Sequence, residues 1–358
     1  MEKKIRIKDI AKMAGVSAGT VDRVLHNRGN VSDEARKAVE KVIEQVDYKP
    51  NMHVSSLSLK RKYKIVVTTP QFSRGAYWES MHNGIRNALE EYENIKVDYH
   101  VLTYNQYDIY SCREIFEKIS QFDMDALIIG PTFKEETIDL CNKMDEREIP
   151  YIFVDSTIDE TSPLAFFSAD HYTVGRLIAH LITSIIPKGA NIGLLQAVRT
   201  GDSSANTTIL RKRGFTDYLT EEKKNNRILM IPFSVARPED NERHLSSFFK
   251  NHDDVPGIVV MNSRGSIVSD YLENNSIKDV KMICMDVTTP NTAALKKGKI
   301  DFLIGQGPEY QGFYAMKTLL EYLIFKNPVK VENYMQLDIL TSETIEYYNE
   351  LKLNQLRS

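Results

Sequence analysis

Apolar positions along the chain follow two different periods. Over residues 7–46 they recur every three to four: Ile7, Ile10, Ala11 and Ala14, then Val21, Val24 and Leu25, then Val39, Val42, Ile43 and Val46. That spacing lines one face of a helix, so it predicts three short helices. Gly15 supplies a stop after the first, Ser17 an N-cap for the second, and Ser32 an N-cap for the third. Asp33 and Glu34 then fall in a first turn, where negative charge suits the helix dipole. His26-Asn27-Arg28-Gly29 is turn chemistry. Tyr48-Lys49-Pro50-Asn51 ends the third helix, because proline disfavours helical backbone in the residue before it.

From residue 64 the period changes. IVVTTP, KVDYHVL, DALIIGP and YIFVDS, then NIGLLQA, ILMIPFS, GIVVMN, MICMDV and DFLIGQG, are short β-rich apolar runs separated by helical patterns. Strands that are apolar throughout belong to parallel sheets covered on both faces. Roughly ten such units exceed what one sheet comfortably holds, so the fold class is α/β with two doubly wound lobes behind a helical headpiece.

The first two helices, joined by a tight turn at Gly15-Val16, make a helix-turn-helix with the third helix as support. The second helix would enter a DNA major groove by its N-terminal end. With Val21, Val24 and Leu25 inward, Ala18, Gly19, Asp22 and Arg23 face out. Small side chains at 18 and 19 permit close approach, and Arg23 can donate a bidentate pair to guanine. An exposed arginine on an ordinary three-helix bundle would fit the same pattern. Charge adds a second indication. The net charge of −3 conceals a basic first segment: residues 1–62 hold 14 Lys and Arg against 8 Asp and Glu, and the remainder holds 32 against 41. An anionic partner for the N-terminus alone would explain that division.

The stretch IKDIAKMAGVSAGTVDRVLHNRGNVSDEARKAVEKVIEQVDYKPN resembles the headpiece of the lac-repressor family of bacterial transcription regulators. The block AGVS..TV.RVL, the VS that opens helix three, and Y.PN before the hinge match in order and spacing. The resemblance implies that residues 51–59 are a hinge helix that folds on the operator and pairs with its twofold mate in the minor groove. It places the family's intercalating leucine at Leu57, a wedge that would kink the duplex at a cost of a few kcal/mol. The DNA-contacting set it implies is Ser17, Ala18, Gly19, Thr20, Asp22, Arg23, Arg28, Asn51, Val54 and Leu57. Two positions depart from the family. Asp22 stands where serine is usual and would repel phosphate unless it pairs with an arginine or accepts from cytosine. Arg6 replaces the usual threonine N-cap of the first helix.

In doubly wound sheets, ligands sit beyond the carboxyl ends of the strands. Those ends offer Tyr77 and Trp78, Asp155, Asn262, Asp286 and Gln306, and NTTILRKRGF adds Arg211 as a cation at the start of a helix. Rings, carboxylates, amides and a guanidinium suit a polyhydroxyl compound: carboxylates accept from hydroxyls, amides and arginine donate, rings stack on C–H faces. MDVTTPNTAALKKGKIDFLIGQGPEYQGFYAM is similar to the periplasmic sugar-binding proteins, in the branch that includes ribose-binding proteins. That resemblance implies stacking roles for Tyr77 and Trp78 and hydrogen-bonding roles for the other five residues. The loop QFSRGAYWES matches loosely, and its Arg74 is an addition that would favour an acidic ligand.

No G-x-G-x-x-G or phosphate-loop motif occurs, the eight histidines show no metal-ligand spacing, and no serine lies in a nucleophile elbow. No enzymatic activity, metal or cofactor is therefore expected. Cys112, Cys141 and Cys284 are odd in number and widely spaced, which suits buried thiols better than disulfides. No apolar run reaches the roughly 18 residues needed to span a bilayer. With no apolar segment after the N-terminal charges, a cytoplasmic protein without membrane contact is expected. The chain divides into a headpiece (1–47), a hinge helix and linker (48–62), a two-lobed ligand-binding and dimerisation domain (63–341) and a C-terminal tail (342–358). The expected function is a sequence-specific DNA-binding regulator, of the repressor kind. It would act as a homodimer on palindromic operator DNA under control of a sugar-like small molecule. The alternative is a solute-binding receptor of a sugar transporter.

Overall fold

The computed structural model describes residues 7–25, 31–45, 61–93, 95–198, 206–234 and 239–348. They divide into two compact units, one containing the N-terminal helices and one containing most of the body.

In the first unit α1 spans Ile7–Ala14, α2 Ala18–Leu25 and α3 Asp33–Gln45. Gly15 takes φ +66°, a left-handed turn that a side chain would strain. Ser17 caps α2, its Oγ accepting the Thr20 N–H at 3.0 Å. Ser32 does the same for α3 with the Ala35 N–H at 3.4 Å. Ile10, Ala11, Val21, Val24, Val39 and Val42 form the core between the helices. Ala18 corrects the outward reading. It is half-buried against that core, because it stands three residues before Val21 and shares its face. Gly19 and Arg23 are exposed, and Thr20 is half-buried. Arg28, Asn51, Val54 and Leu57 lie outside the described residues, and of Asp22 only the backbone is described.

The body alternates strands and helices. Its strands are β1 Tyr63–Pro70, β2 Val97–Tyr104, β3 Ala126–Ile129, β4 Tyr151–Val154, β5 Ala165–Ser168 and β6 Ile192–Val198. They continue with β7 Ile228–Ser234, β8 Gly257–Val260, β9 Lys281–Met285, β10 Phe302–Gly305, β11 Glu332–Tyr334 and β12 Asp338–Leu340. Its helices are α4 Tyr77–Glu91, α5 Ile109–Ser120, α6 Lys134–Glu146, α7 His171–Ile185 and α8 Asn206–Glu221. They continue with α9 Glu239–Asn251, α10 Gly265–Asn274, α11 Thr289–Lys296 and α12 Pro308–Phe325. Two six-stranded sheets result, ordered β11-β5-β4-β3-β1-β2 and β12-β10-β9-β8-β6-β7. Every strand pair is parallel except β10 with β12. The two orders are the same pattern twice, so β4 and β9 occupy equivalent places. Three short segments carry the chain between lobes: Ala169–Asp170, Gln306–Gly307 and 335–337.

α7 leaves the first sheet and buries Val174, Ile178 and Ile182 on the second. Its approach to α8 is backbone to backbone. A Cβ on Gly175 would stand 2.0 Å from the Arg211 carbonyl oxygen, and one on Gly214 2.0 Å from that of Tyr172. Gly84 and Gly312 make the matching approach between α4 and α12, where the added Cβ would meet Glu309 and Met81 carbonyls. Gly175→Ala is expected to push α8 outward and to destabilise the chain by about 1–3 kcal/mol or more. An unchanged urea midpoint would contradict that packing. The segment expected as a C-terminal tail seats Ile345 in the core of the second lobe, with Tyr348 packed against it.

Candidate functional site

Asp155 and Asp286 terminate the equivalent strands β4 and β9, and both adopt left-handed backbone, at φ 69° and φ 70°. Aspartate tolerates this region better than most residues, and strain of this kind gathers at functional positions. The Asp155 N–H donates to Phe167 O at 3.1 Å, and the Asp286 N–H to Ile304 O at 2.9 Å. Both carboxyl groups line one cleft between the lobes, a cavity of about 390 Å³ that also takes Tyr77, Trp78, Arg211, Asn262 and Gln306. The structure thus brings all seven sequence-predicted residues of the body to one place.

Each is held by specific contacts. Tyr77 donates its hydroxyl to Asp155 Oδ1 at 2.7 Å. Trp78 packs edge-on to Tyr77, with ring centroids 5.3 Å apart, in space that Gly130 leaves open. Asn262 uses its Oδ1 to accept the Arg264 N–H at 3.0 Å, an Asx turn that leaves its amide nitrogen for a ligand. Gln306, fully buried in a crossover, donates to Asp286 Oδ1 at 2.6 Å and accepts from Arg211 at 2.9 Å.

Arg211 is not at the start of its helix, as the sequence pattern predicts. It lies at the sixth residue of α8, and it is buried. Among the described residues its guanidinium meets neutral acceptors: His171 Nδ1 from Nε at 3.2 Å and from Nη2 at 3.1 Å, Met261 O at 2.8 Å, and Gln306 Oε1. A guanidinium can only donate, so His171 Nδ1 accepts and Nε2 carries the proton. That proton goes to Asp155 O at 2.6 Å. Burial, and then the Arg211 charge, push the His171 pKa down to about 3. For Asp286, burial raises the pKa to about 6, against the opposing pull of Arg211 and the Gln306 hydrogen bond, with Asp155 adding to the rise.

Sequence reasoning missed two members of this network. His171 follows β5, whose short AFFS run carries no distinct strand signal of its own. Gln311 lies within α12 and has no strand-end signal. It is fully buried, accepting the Asp155 N–H at 2.8 Å and donating to Gln306 O at 2.9 Å.

The lobes also meet at the far side of the cleft. The Thr289 N–H, at the start of α11, donates to Gly75 O at 3.1 Å. Gly75 takes φ +77°, and a Cβ there would stand 2.5 Å from Thr289 Oγ1. Glycine at 75 is what permits this interlobe contact.

Residues 65–327 match the periplasmic binding protein domain, and residues 6–51 match the bacterial regulatory proteins of the lacI family. Catabolite control protein A of Staphylococcus xylosus is 32% identical over 141 residues, 39% of this chain and 41% of that protein. The ribose operon repressor of Lactococcus lactis subsp. lactis is 28% identical over 218 residues, 61% of this chain and 60% of that protein. The chain thus spans less than two thirds of the length of these relatives. Among solved structures, a candidate LacI transcriptional regulator from Bacteroides fragilis superposes with TM-score 0.77 at 32% identity, over 80% of this chain and 100% of that one. GanP, a glucose-galactose binding protein from Geobacillus stearothermophilus, shares the fold with TM-score 0.70 at 22% identity, over 79% of this chain and 99% of that one.

Proposed function

This chain belongs to the lacI family of bacterial regulatory proteins and carries a periplasmic binding protein domain. On that premise we propose that it is an operator-binding repressor controlled by a small carbohydrate in the interlobe cleft. The observation that carries this reading is the joining, in one chain, of a capped helix-turn-helix with a cleft whose two lobes each supply a strand-end carboxylate.

Two chains would associate through their bodies and present two headpieces to adjacent half-sites of a palindrome. Gly19 and Arg23, exposed on α2, face the bases, and Ser17 and Thr20 hold the start of the helix. A carbohydrate bridging Asp155 and Asp286 favours the closed cleft. Its hydroxyls donate to the carboxylates, while Arg211 and the Asn262 amide donate to its oxygens. Closure moves the lobes about the three crossovers, and the spacing of the two headpieces changes with them. Effector and operator are then linked reciprocally, by typically about 1–3 kcal/mol.

Selection of binding sites from random duplexes tests the operator half of this reading. A palindromic consensus is expected, with affinity falling steeply as salt rises, because Lys and Arg displace counterions from phosphate. Recovery of random sequence would refute it. Gly75→Ala tests the other half. It strains the left-handed backbone and obstructs the contact with Thr289, so effector affinity should fall roughly tenfold while effector-free operator binding persists. Undiminished effector affinity would show that closure does not use this contact.

A solute-binding receptor would use the same cleft, but nothing in that role employs a folded DNA-reading headpiece. Turnover of a bound sugar would favour an enzyme, and the cleft presents no activated nucleophile among the described residues.

A further inference from the structure

The cleft divides by charge between its depth and its mouth. Its two carboxylates lie deep, engaged by Tyr77 and Gln306. Four cations line it as well: Arg74, Lys134, Arg211 and Arg264. Lys134 is compensated by Glu160, and Arg211 is engaged by neutral acceptors. Arg74 and Arg264 are different. Both are exposed, and neither guanidinium has a hydrogen bond or ion pair among the described residues.

Their placement is the second observation. Arg74, in the first lobe, directly precedes Gly75, the residue that meets Thr289 of the second lobe. Arg264, in the second lobe, directly precedes α10, which is tied to α11. The Ser266 N–H donates to Asn291 Oδ1 at 2.8 Å, and Asn291 Nδ2 donates to Ser263 O at 3.3 Å. Both arginines therefore belong to the segments that form the seam when the lobes meet, one from each side. With the lobes in contact, two cations thus line the mouth, one from each side. The Glu79 carboxylate, which accepts the Gly75 N–H at 2.5 Å, lies on the Arg74 side, and an anion between the two arginines favours the joined lobes.

We propose that the effector is an anionic carbohydrate, a sugar phosphate or a sugar acid. Its hydroxyls reach Asp155 and Asp286, and its charged group is clamped between Arg74 and Arg264. This rests on the carbohydrate reading of the cleft and narrows it. Guanidinium groups match phosphate and carboxylate oxygens in two parallel N–H···O bonds, so the anion supplies the attraction that seals the two lobes. The cavity of about 390 Å³ lies in the range of small-molecule sites, toward its lower end, which suits one sugar ring with one substituent.

Titration calorimetry on the full chain decides the matter. The panel is glucose, galactose and ribose as neutral parents; glucose 6-phosphate and ribose 5-phosphate; gluconate and galacturonate; and inorganic phosphate alone. One anionic compound is expected to bind at least about tenfold more tightly than its neutral parent, and the phosphate and acid arms tell which group is used. Arg74→Ala and Arg264→Ala should each lower the ratio of anionic to neutral affinity roughly tenfold. Neutral and anionic forms binding alike, or a ratio that survives both substitutions, overturns the clamp while leaving the carbohydrate reading intact. Inorganic phosphate binding as tightly as the best sugar phosphate also overturns it, since the sugar then contributes nothing. If no compound in the panel binds, the carbohydrate reading falls and the clamp falls with it.

Discussion

Asp286→Asn is expected to weaken effector binding by roughly a hundredfold and, in the same molecule, to stabilise the effector-free protein at neutral pH. The first effect follows from replacing an ionised acceptor deep in the cleft by a neutral amide, which forms weaker hydrogen bonds to a sugar hydroxyl. The second follows from burial. With its pKa raised from 3.8 to about 6, Asp286 holds its proton more tightly in the folded chain than in the unfolded one. Its stabilising contribution is therefore complete below about pH 4 and is lost as pH rises through about 6. A rise of that size withholds about 3 kcal/mol from the native state at pH 7.5. Asparagine carries no such cost. Its Oδ1 can still accept from Gln306, and its backbone tolerates φ 70° as aspartate does. For a body of this size the gain amounts to a few degrees in melting temperature at pH 7.5, vanishing near pH 4. A variant that melts lower than the parent at pH 7.5, or that binds the effector normally, would remove Asp286 from the role assigned here.

That a strand-end residue carries such a cost explains why much of the site was legible in the sequence. Strand ends are local features. An apolar run followed by a polar residue marks Asp155, Asp286, Asn262 and Gln306 without knowledge of the fold, and α/β topology then gathers them at one edge. The caps at Ser17 and Ser32 were legible for the same local reason. Ala18 was read as facing outward, while its spacing from Val21 seats it half-buried against the headpiece core. Arg211 was legible by type but not by position. Only the close approach of α7 to α8, through Gly175 and Gly214, brings that turn of α8 beneath the crossovers. His171 and Gln311 were not legible at all. Their roles come from the chain passing between lobes, which depends on how two sheets share three connections and leaves no periodic trace. β11 and β12, three residues each, escaped for want of any pattern at that length.

The crossovers are also where the largest loss of stability is expected, on substituting Arg211 by methionine. The alkyl stem is kept, so packing against α7 survives, but His171 Nδ1, Met261 O and Gln306 Oε1 each lose a charged donor. Buried acceptors left unpaired cost about 1–3 kcal/mol apiece, so a total loss of several kcal/mol is expected at pH 8. The pH dependence separates this account from general damage. In the parent, His171 is held below its ordinary value of 6.5 by burial and by the Arg211 charge. The unfolded chain therefore gains a proton on acidification before the folded chain does, and stability is lost as pH falls from about 6.5 toward 3. Removing Arg211 removes one of those two causes and frees Nδ1 to be protonated, so the His171 pKa rises. Asp286, which Arg211 also pulls down, keeps its proton to higher pH once Arg211 is gone, and that added cost too is greatest at high pH. The deficit of Arg211→Met relative to the parent should accordingly be greatest at pH 8 and shrink toward pH 5. His82, also lowered, to about 4, by burial and Arg86, titrates alike in both proteins and cancels from the difference. Urea midpoints of the two proteins at pH 8, 7, 6 and 5 measure this directly. A deficit that stays constant or grows on acidification would mean that Arg211 supports the crossovers by packing alone, and that the chain of hydrogen bonds from Asp286 through Gln306 and Arg211 to His171 does not act as a unit.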